Sequence, residues 1–311
     1  MPASPVSSKS YAVSRFGVVI DGMDLTSYVK NVEGGLHKVE STKEQTGSYN
    51  HPTNHLATRT IEPITLEVGL CKANPILDIV EKIVNKREHK RLSGHIFHAD
   101  ANSHSRFEQE FMRALVTEIS LPALDAAGKN LSMLKVKLQP EEATFKAGDK
   151  SPIPMGSQKP QKTWQNNSFR LDLDGPGNIN TDFVTKVDAL TIGVTAKPIQ
   201  RGGFLLPEYM PGQIKMPKLS IHVPLHHAGT LITWFEKVAA KHVASPDGGG
   251  SGYEGGGALT YLDTTTKKDL YSITFESLAP EQMTIVKSEG GAATLKTAKF
   301  DFYVTNMKLN T

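Results

Sequence analysis

Cysteine is nearly absent from the chain, with Cys71 the one example in 311 residues. That excludes an intrachain disulfide and any metal centre built on a cysteine cluster. Charge of one sign is also missing: 35 Lys+Arg against 32 Asp+Glu leave +3, which is no electrostatic footprint of a nucleic-acid binder. No apolar run reaches the ~18 residues that suggest a spanning helix. The opening Met-Pro-Ala-Ser-Pro-Val-Ser-Ser-Lys-Ser has no apolar signal core either. The expectation is a chain that is neither exported by a signal peptide nor inserted in a membrane. With 38% hydrophobic and 22% charged residues it reads as folded rather than disordered, and its length suits two domains, each with its own core.

What the chain does contain is one pattern written twice. Ile76-Leu-Asp-Ile-Val-Glu-Lys-Ile83 matches Leu231-Ile-Thr-Trp-Phe-Glu-Lys-Val238, position by position in polarity. Phe16-Gly-Val-Val-Ile-Asp-Gly22 lies opposite Phe169-Arg-Leu-Asp-Leu-Asp-Gly175, and Gly94-His-Ile-Phe-His-Ala-Asp100 opposite Gly257-Ala-Leu-Thr-Tyr-Leu-Asp263. Glu118-Ile-Ser-Leu-Pro122 matches Glu276-Ser-Leu-Ala-Pro280, and Leu134-Lys-Val-Lys-Leu138 matches Ala298-Lys-Phe-Asp-Phe302. Self-similarity in the same order at a long period indicates an internal repeat.

Each copy reads as mostly β with one helix. Copy one opens with a strand at Arg15 to Ile20, closed by the turn residues Asp21-Gly22. A long hairpin follows, with a polar tip holding Tyr49, His51 and His55. Asn74-Pro75 starts a helix with Ile76, Ile79, Val80 and Ile83 on one face. The basic cluster Lys86 to Arg91 reads as a solvated helix end. In copy two Thr230 is the expected N-cap of a helix bearing Leu231, Trp234, Phe235 and Val238. The expected division is an arm at 1–14, a domain at 15–145, a Pro-rich linker at 146–167 and a second domain at 168–311.

Sites for chemistry are scarce. Seven of the twelve residues Pro246 to Gly257 are glycine, but Ala258-Leu259 follow where a phosphate loop needs Lys-Ser/Thr, so a flexible surface loop is the reading. His95, His98, Asp100 and His104 are the densest set of metal-ligand types, although strand alternation turns His95 away from His98 and Asp100. Cys71 reads as a small hydrophobe. No Gly-x-Ser-x-Gly elbow occurs. No catalytic residue, resident metal or cofactor is expected, and the chain is read as a non-enzyme.

The motifs Phe16-Gly-Val-Val-Ile-Asp-Gly22, Tyr28-Val-Lys-Asn-Val-Glu-Gly-Gly35 and Ile64-Thr-Leu-Glu-Val-Gly69, placed before an amphipathic helix, resemble the tail-tube proteins of contractile bacteriophages. The likeness is nearest to the doubled form found with phage tails and phage-tail-like contractile injection systems. It implies a tail-tube-like β-sandwich or rolled β-sheet in two tandem related domains. It further implies a structural ring or tube segment (tail tube, tube initiator or adaptor) with a channel for DNA or a protein effector. On this view the chain self-associates into a ring of six tube-like domains, from three or six chains, and meets neighbouring tube, baseplate, hub or sheath proteins. Its place would be a virion tail or a cytoplasmically assembled injection particle. Contact residues implied on the hairpin are Tyr49, His51, Asn54 and His55, with Gly250 and Tyr253 on the glycine-rich insertion. Two other readings stand beside it: a β-rich ligand- or protein-binding module working through the glycine loop, and a metal-dependent hydrolase using His95, His98, Asp100 and His104.

Overall fold

Alternating burial shapes the sheets, as in Ile64-Thr-Leu-Glu-Val68, where Ile64, Leu66 and Val68 are fully buried and Thr65 and Glu67 are not. The structure, a computed structural model, describes residues 11–45, 53–72, 74–154, 164–175, 179–202, 206–244, 254–286 and 296–310. The first half runs β1 (Tyr11–Ile20), β2 (Met23–Asp24), β3 (Val29–Gly34), β4 (His37–Glu44), β5 (Thr53–Ile61), β6 (Ile64–Gly69), α1 (Pro75–Lys86), β7 (Leu92–Asp100), β8 (Ser105–Leu121), β9 (Leu124–Asp125), β10 (Met133–Gln139) and β11 (Glu142–Ala147). The second runs β12 (Phe169–Asp174), β13 (Lys186–Val187), β14 (Leu190–Ile199), β15 (Glu208–Lys215), β16 (Leu219–Pro224), a 3-10 turn (Leu225–His227), α2 (Gly229–Ala244), β17 (Gly255–Leu262), β18 (Asp269–Ile285) and β19 (Thr297–Asn310). Among the described residues it is mainly β with one α-helix in each of two related halves, as expected.

The long strand β8 organises the first half. Its early residues pair with β7 and β11, and its late residues with β10 and β14. Between the two stretches Arg113 adopts φ 54° and the β7–β8 register slips. A bulge of this kind bends a strand and lets it pass from one sheet to another. The second half orders its strands β12-β17-β18-β19-β16-β13 and gains β9 from the first half at its edge.

Strand pairing relates the halves independently of sequence. Gly94 of β7 lies between Ile20 and Phe111, and Gly257 of β17 lies between Leu173 and Phe275. Leu138 of β10 lies between Ile64 and Val116, and Phe302 of β19 between Leu219 and Pro280. Register slips recur at the corresponding places: Leu92/Gly94 with Gly255/Gly257, His98/Ala99 with Tyr261/Leu262, Lys137/Leu138 with the slip opposite Asp301 and Phe302, and Val39/Ser41 with Val194/Ala196. Bulges are conserved features of related sheets, so their shared positions speak for duplication. One sequence landmark is out of step. Lys137 faces Glu118 and Asp301 faces Gln282, so Glu118 corresponds to Gln282, not Glu276. The prolines misled the match, because Pro122 follows β8 whereas Pro280 sits at an irregularity within β18.

Helix α1 begins as the sequence indicates. The Asn74 side chain accepts from Ile76 N at 3.1 Å, Pro75 occupies the first turn, and Ile76, Leu77, Val80, Ile83 and Val84 are buried. Helix α2 starts at Gly229 rather than after a Thr230 cap, since the 3-10 turn feeds into it through Ala228, whose carbonyl accepts from Ile232 N at 2.9 Å. The halves share one continuous apolar core. Asn85 of α1 exchanges two hydrogen bonds with the Leu309 backbone of β19, at 2.7 and 2.8 Å. Trp164, in the stretch read as linker, is also a tie. Its N–H donates to Leu70 O and its carbonyl accepts from Ser132 N, while its ring lies against Tyr261 and Tyr271 of the second half.

The Val-Glu-Gly-Gly motif takes the chain out of the β3 ladder into the β4–β5 hairpin. Gly34 and Gly35 have φ 85° and 77°, and a Cβ on Gly34 would collide with the Pro63 carbonyl oxygen. Gly34→Ala is therefore expected to destabilise the chain by about 1–3 kcal/mol, read as a lower midpoint in urea unfolding, with Gly22→Ala, where φ is 77° and the surroundings are open, costing less.

Candidate assembly surfaces

The second-half hairpin β14–β15 completes the sheet of the first half. Leu190, Thr191, Ile192 and Gly193 pair with Leu121, Ser120, Ile119 and Glu118. Ile119, Leu121, Leu190 and Ile192 are buried, and the hydroxyls of Ser120 and Thr191 are 2.7 Å apart. Strand addition satisfies main-chain donors and acceptors that would otherwise face solvent.

A charge cluster fixes the hairpin's far strand. Glu141, 4% exposed, pairs with Arg91 and with Arg113 Nε at 2.9 Å. Its Oε1 also accepts from Tyr209 N at 3.0 Å, and Arg91 Nη2 donates to Tyr209 O at 2.7 Å. Glu208, next in β15, lies 3.7 Å from Arg113 and 3.1 Å from Arg201. Burial, and then the Glu141 charge, push the Tyr209 phenol above its ordinary value. The reading of Lys86 to Arg91 as wholly solvated is thus corrected: Lys90 pairs with Asp21 at 2.7 Å, and Arg91 holds a buried carboxylate. The cluster was hidden in the sequence because Arg91, Glu141 and Glu208 come from three distant segments, although a lone arginine in the apolar run of β8 is the kind of signal that marks a bulge.

The first-half hairpin β4–β5 pairs with no other strand among the described residues. Leu56 on it is 80% exposed. It carries Lys38, Lys43 and Arg59 with Glu40 and Glu44. His37 lies beside Arg59, with Nη2 and Nε2 2.7 Å apart, and its pKa is lowered by burial and by that charge. His37 also meets Phe145 edge-on, and Phe145 stacks on Phe107. Of the expected contact residues, Asn54 and His55 lie exposed on β5, opposite Lys43 and Thr42. Tyr49, His51, Gly250 and Tyr253 lie outside the described residues.

The candidate metal residues do not converge. His95 Nδ1 is 2.7 Å from Glu108 Oε1, and His98 lies against Phe107. Asp100 is committed to Arg106, at 2.7 and 2.9 Å, and to the amides of Asn102 and His104. Among the described residues no three His, Cys, Asp or Glu side chains could hold a metal ion, so the hydrolase reading loses its site to strand alternation and the Arg106 ion pair. The glycine run is corrected in part: Gly255 to Gly257 are the first residues of β17, and Gly257 packs so close that an added Cβ would stand 2.7 Å from Asp172 O. Cys71 is buried. No described helix is long and apolar enough to cross a membrane.

Comparison with known proteins gives a match over residues 13–144 to the family described as "T4-like virus tail tube protein gp19". A search of curated proteins finds no match. Among solved structures, the chain is similar to a protein of the anti-feeding prophage tube-terminating cap, at 14% identity over 48% of this chain and 99% of that one, with a TM-score of 0.41. It is similar to one in the PVC extracellular contractile injection system sheath-tube complex, at 16% identity over 44% and 92%, with a TM-score of 0.39. Hcp1 from Flavobacterium johnsoniae is similar at 15% identity over 43% and 96%, with a TM-score of 0.30.

Removing Glu141 by Glu141→Ala leaves Arg91 and Arg113 facing each other and frees Tyr209 N, with an expected loss of about 3 kcal/mol in denaturant unfolding. Asp100 yields a pH test. Arg106, then the neighbouring amides, lower its pKa to about 2 from 3.8. A depressed folded-state pKa stabilises above the unfolded value and loses that effect as pH falls through the folded one. The melting-temperature gap between the natural chain and Asp100→Asn should be complete at pH 5 to 7 and should shrink progressively between about pH 4 and pH 2.

Proposed function

We propose, from the match of residues 13–144 to the T4-like tail tube family, that the chain is a structural ring component with two tube-like domains. The observation that carries the reading is recurrence: the order of main strands and helix in the matched segment returns in the second half, with four of its register slips in the same places. The domains are 15–145 and 168–311, joined by 146–167. Six such domains, from three or six chains, close a ring around a channel for DNA or a protein effector. Closure removes the free sheet edges that a single chain leaves exposed. The β4–β5 hairpin, with Asn54 and His55 on β5, reaches the next ring or a baseplate, hub or sheath protein, and Tyr49, His51, Gly250 and Tyr253 are further contact residues of this proposal. The role is mechanical rather than catalytic, in a tail or an injection particle. Halves that differ at their hairpins suit an adaptor or end ring, where the two sides meet different neighbours.

Purified protein should form closed rings in negative-stain images, with a native mass of three or six chains. A chain that stays monomeric at high concentration overturns the proposal.

A further inference from the structure

The β14–β8 junction inside the chain has an unfilled counterpart. By the register of the halves, Glu118 to Leu121, which receive β14, correspond to Gln282 to Ile285 of β18. These pair with β19 on one side and with no other strand among the described residues. Thr60 faces Lys38 as Lys215 faces Gly193, so the donor stretch Thr191 to Gly193 corresponds to Leu36 to Lys38 at the entry to β4. Both free edges carry uncovered apolar groups: Leu36 is 53% exposed and Ile285 48%.

Charge changes at the same places, reversed at one and lost at the other. Arg91 and Arg113, which hold β15 through Glu141 and Glu208, correspond to Glu254 and Ser277. The Glu254 carboxylate accepts from Ser277 Oγ and Tyr303 Oη, at 2.6 and 2.7 Å, and no cation pairs with it among the described residues. The hairpin that would reach it carries Lys38, Lys43 and Arg59 alongside Glu40 and Glu44, and Lys38 stands at the β4 entry itself. A pocket of 590 Å³ beside the β4 entry is lined by Val32, Leu36, Ile96, His98 and Phe107. In the second half the matching strand positions are Leu259, Tyr261 and Tyr271, all buried, with Trp164 packed on the tyrosines.

We propose that the β4 entry of one copy adds antiparallel to the free β18 edge of a second copy, with Leu36 opposite Thr284, His37 opposite Met283 and Lys38 opposite Gln282. Met283 and Ile285 then arrive at the mouth of the open pocket. Strand addition extends a sheet sideways, by about 4.8 Å per strand, so the junction within the chain is already a junction around the ring. The two domains of a chain are neighbours in one ring, and six domains require three chains, not six chains in two layers. This rests on the ring reading above for the number six. The contact is head-to-tail, the kind that closes when its rotation divides a circle.

Paired cysteines test it, since directly opposed strand residues lie within disulfide reach. Leu36→Cys/Thr284→Cys, oxidised without reductant, should give a covalent ladder ending at three chains on a denaturing gel. Ser120→Cys/Thr191→Cys, the equivalent pair within one chain, should close internally and run as a single chain. If the first pair fails to fold by its melting curve, Lys38→Cys/Gln282→Cys reads the same register. Rings that form while both intermolecular pairs stay uncrosslinked, or a ladder extending past three, overturn this pairing and leave the ring reading standing. A monomeric native mass overturns both.

Discussion

The structure depends on main-chain pairing at strand edges. β8 is the case in point, a single strand that serves two sheets of the first half and accepts a hairpin from the second. Its bend at Arg113 makes this possible, and Arg113 also grips Glu141 and Glu208 of the elements gathered around it. One residue therefore sets both the path of the strand and the charge that receives the hairpin. The buried apolar pairs Ile119–Ile192 and Leu121–Leu190 then fill the junction, so backbone bonds set its register and side chains exclude water from it.

Much of the local architecture was legible in the sequence. The alternation in β6 and β10, the cap and face of α1, and the Gly-Gly turn into a long hairpin all follow from short-range rules that act on neighbouring residues. What escaped was long-range. The choice of β8 as the partner of β14 rests on amide and carbonyl groups that every residue has, so no pattern of side chains announces it. Arg91 looked solvated because Glu141 lies far along the chain. Pro122 and Pro280 are alike in sequence context yet differ in place, one following β8 and the other at an irregularity inside β18, so Glu118 and Glu276 do not correspond. His95, His98, Asp100 and His104 form a ligand-type set by residue type alone, while Arg106, two residues beyond them, claims Asp100.

The inequality of the halves lies in their edges rather than their cores. Interior positions correspond closely, as with Phe111 and Phe275 or Leu138 and Phe302. Around them, Arg91 gives way to Glu254, and a docked hairpin in one half answers to one that pairs with no other strand among the described residues. On the proposed duplication, two copies of a sheet that differ at the rim present different edges to their neighbours. The opposite charge of Arg91 and Glu254 also disfavours the wrong pairing, since a second β15 offered to β18 would bring Glu208 toward Glu254.

The hydrogen-bond pair between Asn85 and Leu309 has a consequence for the order of synthesis. Helix α1 leaves the ribosome early, yet its Asn85 amide has no β19 backbone to hold until residue 309 is made. β8 likewise waits for β14. The first half therefore emerges with open edges and stays so while the second half is translated, an interval of several seconds or more at about 5–20 residues per second. Contacts of such sequence separation form slowly, so the unpaired β8 edge is exposed to other chains throughout that interval.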